Sequence, residues 1–249
     1  MLSGKLKSYL RSKTWMFLKA KWKLQSGLLI KIENDSDWFV FNEIFTNKEY
    51  DKAIQLFLPA FSKQPLILDL GANVGYFTLR MADELIQAGF DNYEIVSLEA
   101  SPSNYISLRN RLDQPLLKNK VKPFLGLAGY KTGSDKVIHS DQHYGHATHS
   151  ASTGNKITEV SYLDIEGLLT DTTKSIDLLK CDIEGSEEIF LAAYPGLLKR
   201  VNHAVFEFHA GECNIDNCRK LLREAGLFSK GLLKEEAVYK TSVEIFSRQ

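Results

Sequence analysis

The stretch Leu68-Asp69-Leu70-Gly71-Ala72-Asn73-Val74-Gly75-Tyr76-Phe77-Thr78 decides the fold. An apolar strand closes on Leu70, a glycine turn follows, and a helical segment opens near Tyr76. Gly71 lets the chain turn sharply off the strand where a side chain would block it. Gly75 lets the following helix sit close to whatever fills the crevice. Such a turn exposes backbone N–H groups at a helix start, where an anionic or polar ligand group is favoured. The spacing is not the dinucleotide fingerprint, because the third glycine of that pattern would fall on Phe77.

Outward from this turn the pattern is regular. Leu66–Leu70, Glu94–Leu98, Val121–Ala128, Ser175–Cys181 and Ala204–Phe208 read as strands. Tyr76–Ala88, Pro102–Leu112, Ser186–Ala193 and Asn214–Ala225 read as helices between and after them. Short apolar strands alternating with helices predict a doubly wound, mostly parallel α/β sheet. The chain closes with strand-like pieces around Phe228–Leu233 and Ser242–Phe246. Residues 129–160, polar and rich in Gly, Ser, Thr and His, interrupt the pattern as a long loop, which in a compact domain is usually functional or mobile. Ahead of the sheet, Leu28–Ile32 and Trp38–Phe45 around Asn34-Asp35-Ser36-Asp37 read as a hairpin. Thr46 or Asn47 then reads as the N-cap of a helix running toward Leu58 and stopped by Pro59.

The next strand ends at Glu99. An acid at the tip of the second strand is placed to accept hydrogen bonds from two ribose hydroxyls. Asp69, before the turn, is placed to hold the turn's backbone or to receive a ligand ammonium. Asp69-Leu-Gly71-Ala-Asn73-x-Gly75 with Glu99 therefore fits an adenosine carrying an amino-acid tail, S-adenosylmethionine, and resembles class I methyltransferases. The resemblance implies cofactor contacts by Asp69, Gly71, Asn73, Gly75, Glu99 and Asp182. It also implies a seven-stranded Rossmann-like sheet with an antiparallel C-terminal strand.

A second cluster, Ser175-Ile-Asp177-Leu-Leu-Lys180-Cys181-Asp182-Ile-Glu184-Gly185-Ser-Glu187, ends an apolar strand in ionisable residues. Alternation puts Lys180, Asp182 and Glu184 on one side of an extended chain, and Glu207 and His209 on one side of the following strand. Ligands in open α/β sheets lie beyond the carboxyl ends of the strands, so these groups are expected to face the same crevice as Gly71 and Glu99. Asp177–Glu187, Glu207-Phe-His209, Asp69–Gly75, Glu99-Ala-Ser-Pro102 with Asn104-Tyr105, and Tyr162-Leu-Asp164 together resemble the FkbM-type methyltransferases over roughly residues 38–248. Ser101 stands where that family more often has Asn or Asp, and Cys181 where an aliphatic residue is usual. The resemblance implies methyl transfer to a hydroxyl, often on a sugar, lipopolysaccharide or polyketide.

A hydroxyl acceptor needs a base at the moment of attack. Asp182 or His209 is the expected base, with Lys180, Glu184 and Glu207 setting its pKa and position. The same residues also suit a divalent cation held by Asp182, Glu184 and Glu207 or His209, which would lower the hydroxyl's pKa. The expected acceptor is a glycan or small polyhydroxylated molecule. Two other readings are an RNA ribose 2'-O-methyltransferase and a non-catalytic interaction module on the same fold. Nucleic acid fits poorly, because no aromatic-basic interleaving marks a channel. The catalytic charges argue against a binding module.

Charge divides the chain. Its 31 basic and 31 acidic residues cancel. Yet residues 1–31 hold Lys5, Lys7, Arg11, Lys13, Lys19, Lys21, Lys23 and Lys31 and no acid, which leaves the rest at −8. Leu2, Leu6, Tyr9, Leu10, Phe17, Ala20 and Leu24 recur at roughly helical spacing, so residues 1–27 read as a basic amphipathic helical extension to a methyltransferase domain over 28–249. Its partners are expected to be the acidic body itself, a membrane surface or another phosphate-rich surface. The first residues lack the apolar stretch of a secretory signal, and Cys181, Cys213 and Cys218 form no disulfide framework. Both favour a cytoplasmic setting, peripheral at a membrane if the basic segment docks there. His139, His143, His146 and His149 fall in the polar loop, where poor helix propensity favours an acceptor-binding lid over a metal face.

Overall fold

A computed structural model describes residues 21–139, 156–238 and 240–248. Seven strands form the central sheet: β3 (Leu66–Leu70), β4 (Glu94–Glu99), β5 (Val121–Leu125), β8 (Ile176–Cys181), β9 (Val201–His209), β10 (Phe228–Glu236) and β11 (Thr241–Ser247). Their order is β10-β11-β9-β8-β3-β4-β5. β5, β4, β3, β8 and β9 run parallel, and β11 runs antiparallel to both β9 and β10. The chain leaves β3 toward β4 and β5, then returns to the other side of β3 with β8 and β9. That reversal puts a crevice at the carboxyl ends of β3, β4 and β8.

The two faces of the sheet carry separate cores, as side-chain alternation requires. Leu66, Leu68 and Leu70 pack with Leu179, Cys181 and Phe206 on one face. Ile67, Ile95, Leu178 and Val205 pack on the other, with α3 (Tyr76–Gln87) and the segments ahead of β3. α4 (Pro102–Leu112) follows β4, and α5 (Glu187–Ala193), α6 (Pro195–Leu198) and α7 (Ile215–Glu224) complete the helices of the second half.

Four expectations are corrected. Trp38–Phe45 is helical: α1 (Asp35–Phe41) continues as a wider π-helical turn over Asn42–Thr46. The Asn-Asp-Ser-Asp run is its start signal, since the Asn34 side chain accepts a hydrogen bond from Asp37 N at 2.8 Å and Asp35 and Asp37 occupy the first turn. An apolar run this dense satisfies both periods, and the cap decides between them. The strand at Leu28–Ile32 forms as β2 (Leu29–Lys31), but it pairs antiparallel with β1 (Lys21–Lys23), which had been expected to be helical. The next helix, α2 (Asp51–Phe57), begins later than Thr46 or Asn47, because the π turn consumes Thr46. Finally, the long loop is flanked by an antiparallel ribbon, β6 (Ser134–His139) with β7 (Lys156–Ser161). The expected helix over residues 1–20 and the loop histidines His143, His146 and His149 lie outside the described residues. Among the described residues, no helix is long and apolar enough to cross a membrane.

Candidate active site

The turn after β3 is built against the end of β8. Gly71 has φ +76°, and a Cβ there would lie 1.7 Å from the Asp182 carbonyl oxygen. Two backbones thus approach where no side chain fits, and Asp182 N donates to Leu70 O at 3.1 Å across the same contact. Gly75 answers a different need. At φ +93° it starts α3, and a Cβ would meet Leu108 of α4 at 2.7 Å, so the glycine lets these two helices pack closely.

Asp69 is fully buried and lines neither of the two cavities that open at this turn. It accepts a hydrogen bond from Thr78 Oγ1 at 2.6 Å, and its other oxygen lies 3.6 Å from Lys180 Nζ. Lys180 Nζ in turn donates to Gly71 O at 2.7 Å and to Asp182 Oδ2 at 3.3 Å. Asp69 therefore holds the glycine turn indirectly, through the buried lysine. Burial opposes the charge on Lys180, but Asp182 and Asp69 outweigh it and hold the ammonium above its ordinary pKa.

Two cavities meet at Gly71, Asn73, Asp182 and Glu184. The smaller is lined by Leu98, Ala100, Leu127, Ala128 and Val137, with Glu99, Asn104 and Ser186 as polar members besides the shared Asn73, Asp182 and Glu184. Glu99 accepts from Asn73 N and Ser101 N, both at 2.8 Å. Burial nevertheless pushes its carboxyl up to about 7. An apolar slot with a carboxylate at one end matches an aromatic base and a sugar diol. Asn73, itself in the left-handed region at φ +50°, is braced by Asn104 Nδ2 at 3.2 Å.

The larger cavity, about 310 Å³, gathers Lys180 from β8, Asp182 and Glu184 from the turn that follows it, and Glu207 and His209 from β9. The structure brings all five expected catalytic residues to it. Alternation accounts for four of them. Glu184 lies beyond the strand in a left-handed conformation (φ +53°), and the turn carries its Oε2 to 3.4 Å from His209 Nε2. One ligand atom each from Asp182, Glu184 and His209 fall within 4.8 Å of one another, close enough to hold a divalent cation.

Burial first, and then the Asp182 charge, raise Glu184 to about 7 and Glu207 to about 8. His209 moves up for the opposite reason. Burial disfavours its charge, but the Glu187 hydrogen bond and the Asp182 and Glu184 carboxylates outweigh this and raise it to about 10. The ring is therefore an imidazolium at neutral pH in this site.

Sequence reasoning missed Glu187 as a site residue. It is fully buried at the start of α5, and its Oε1 accepts from His209 Nδ1 at 3.1 Å and from the backbone N–H groups of Ile183 and Gly185. It thereby fixes the ring and the turn together. A Glu two residues after a glycine turn and beside a charged strand tip was the available signal. The outer wall of the cavity was also missed. Phe39, Val40, Glu43 and Ile44 come from the segment misread as a hairpin strand, Glu49 and Tyr50 from the turn ahead of α2, and Lys234 and Glu236 from β10. Lys234 bridges Glu49 at 2.9 Å and Glu236 at 2.5 Å, and burial beside Glu49 pushes Glu43 up to about 7.

A doubly wound sheet of this order, with an apolar carboxylate-tipped slot opening onto a charged cavity at the strand ends, is a class I methyltransferase fold. The model of the methyltransferase FkbM domain matches residues 69–227, and the chain belongs to that family, with S-adenosylmethionine as its cofactor. A crystal structure of methyltransferase FkbM from Methylobacillus flagellatus KT superposes with a TM-score of 0.50 at 16% identity, covering 75% of this chain and 44% of that one. This chain thus spans under half the length of that relative. Magnesium protoporphyrin IX methyltransferase (ChlM) from Synechocystis PCC 6803, solved with bound SAM, gives a TM-score of 0.48 at 11% identity, over 100% of this chain and 99% of that one. No curated protein matches the chain.

Proposed function

We propose that this protein methylates a hydroxyl of a carbohydrate or similar polyhydroxylated acceptor. The observation that carries the reading is the junction of the two cavities. The slot tipped by Glu99 fits the nucleoside of S-adenosylmethionine, and Gly71, Asn73 and Asp182 sit where its tail would continue. The adjoining cavity is walled by carboxylates, which accept hydrogen bonds from neutral hydroxyls. When bound, the cofactor supplies a methyl group already activated on a sulfonium.

What remains for the protein is to align the acceptor oxygen and take its proton. Asp182 is the better placed base, since Lys180 Nζ donates to its carboxylate at 3.3 Å and fixes it from behind. His209, charged and clamped by Glu187, donates a hydrogen bond instead and takes a proton only when neutral. Glu207 and Glu184 position the hydroxyl and tune the pair.

A second reading is favoured by one observation, the convergence of Asp182, Glu184 and His209. A divalent cation held there would bind the acceptor oxygen and lower its pKa, and Glu187 would support the histidine from behind, as carboxylates do at metal-bound histidines.

The deciding experiment is methyl transfer from labelled S-adenosylmethionine against panels of glycans and RNA, with and without a chelator. Label on a glycan hydroxyl is expected. Label on RNA ribose, or cofactor binding with no transfer to any acceptor, overturns the proposal. Loss of activity on chelation, restored by a divalent metal, selects the second mechanism.

A further inference from the structure

All three tryptophans of the chain, Trp15, Trp22 and Trp38, lie within its first 38 residues, the same stretch that carries eight basic residues before its first acid. In the fold, β1 presents Trp22 at 59% exposure. Lys21 pairs in register with Lys31 and Lys23 with Leu29, and all four are exposed on the outer face of the ribbon. Trp38 and Phe39, successive residues of α1, are 43% and 45% exposed. The Trp22 and Trp38 rings lie 6.0 and 5.7 Å from Phe41, a buried ring that supports both indoles. Alternation sends Trp22 off the opposite face of the ribbon, over Phe41. This end of the molecule therefore exposes three lysines on one side and two indoles with Phe39 on the other, with the exposed acids Glu33 and Asp35 where β2 leads into α1.

We propose that this end docks the protein on an anionic lipid bilayer. Indoles settle at the headgroup level of a bilayer and lysines beside its phosphates. The remaining chain is net acidic, at −8, so an anionic surface repels the body and attracts only this end. That sorting of charge fixes the orientation as well as the attraction. Phe39 also lines the larger cavity, so docking sets the cavity mouth beside the membrane, within reach of a hydroxylated headgroup or lipid-linked glycan. This last consequence rests on the acceptor reading above, whereas the docking does not.

The test uses the full chain with vesicles of phosphatidylcholine alone or mixed with phosphatidylglycerol. Sedimentation reads binding, and tryptophan emission, which arises only from residues 15–38, reads insertion. Binding to the anionic vesicles alone is expected, with a blue-shifted emission and loss in high salt. In Trp22→Ala, and separately in a Lys21→Glu, Lys23→Glu double variant, partitioning falls by about tenfold while S-adenosylmethionine titration is unchanged. The lysine variant keeps the test decisive if Trp22→Ala fails to fold. Absence of vesicle binding, variants that bind like the parent, or an RNA that binds more tightly than the vesicles would each overturn the proposal. None of these measurements depends on turnover, so a wrong acceptor leaves them readable.

Discussion

Asp182 sits at the junction of the two cavities with its carboxylate 3.3 Å from a buried lysine that is itself locked to the glycine turn. That chain of contacts gives its replacement a distinctive signature. Asp182→Asn keeps the size of the side chain and the Lys180 contact but removes the proton acceptor. Turnover should fall by about 10²–10⁴-fold while isothermal titration with S-adenosylmethionine still shows binding. Retained turnover would return the base role to His209. A second residue-scale prediction concerns Glu187, whose hydrogen bond is the largest influence raising His209. In Glu187→Gln the imidazole should titrate closer to its ordinary range, followed by NMR of the His209 ring protons. An unmoved titration would mean that Asp182 and Glu184 alone hold the charge. The contrast between these two carboxylates shows what a sequence makes legible. Asp182 was readable because a strand tip with alternating charge leaves few other purposes. Glu187 was hidden because an acid in a helix's first turn has an ordinary explanation, and only the fold shows that it is buried against β9.

At the scale of elements, the glycine turn couples β3 to β8, and the coupling is steric. Gly71→Ala would place a methyl 1.7 Å from the Asp182 carbonyl in a backbone conformation that L-residues disfavour. The strands must part or the turn must rebuild. The expected cost is at least about 1–3 kcal/mol of stability, read from the urea midpoint, together with loss of cofactor binding. A variant as stable as the parent, with intact binding, would show that the approach of β8 to this turn is not what shapes the site. The sheet was legible because its strands are short, apolar and punctuated by this turn. The segment ahead of it was not. In residues 35–46, Trp38, Phe41 and Phe45 stack along a helix, yet the same apolar density reads as a strand until the Asn34 cap is given weight. That one error concealed part of the outer wall of the larger cavity, because Phe39, Val40, Glu43 and Ile44 all belong to the misread stretch.

Across the whole molecule, the charges assembled at the strand ends make stability depend on pH in one direction. Glu43 and Glu184 titrate near 7, Glu99 near 7, Glu207 near 8 and His209 near 10. Each lies above the ordinary value for its type, so the folded chain binds more protons than the unfolded one from about pH 5 to about pH 10. Stability falls with rising pH wherever the folded state holds the extra protons. The carboxyls act in the lower part of that window, as each loses its proton inside a crowded cavity, and His209 acts in the upper part, as its ion pairs with Glu184 and Glu187 lose their cation. The ligand-free protein is therefore expected to melt at its highest temperature on the mildly acidic side of neutrality and at progressively lower temperatures through pH 9. Glu207→Gln removes one of the buried carboxyls, and its melting temperature should fall less steeply between pH 5 and 8, a difference on the order of 1 kcal/mol. Thermal unfolding of both proteins across that range measures it. A parent profile that is flat or rises toward pH 9 would mean that solvent enters the cavity freely enough to cancel the burial of its carboxylates, and the acidic wall would then be an ordinary solvated surface.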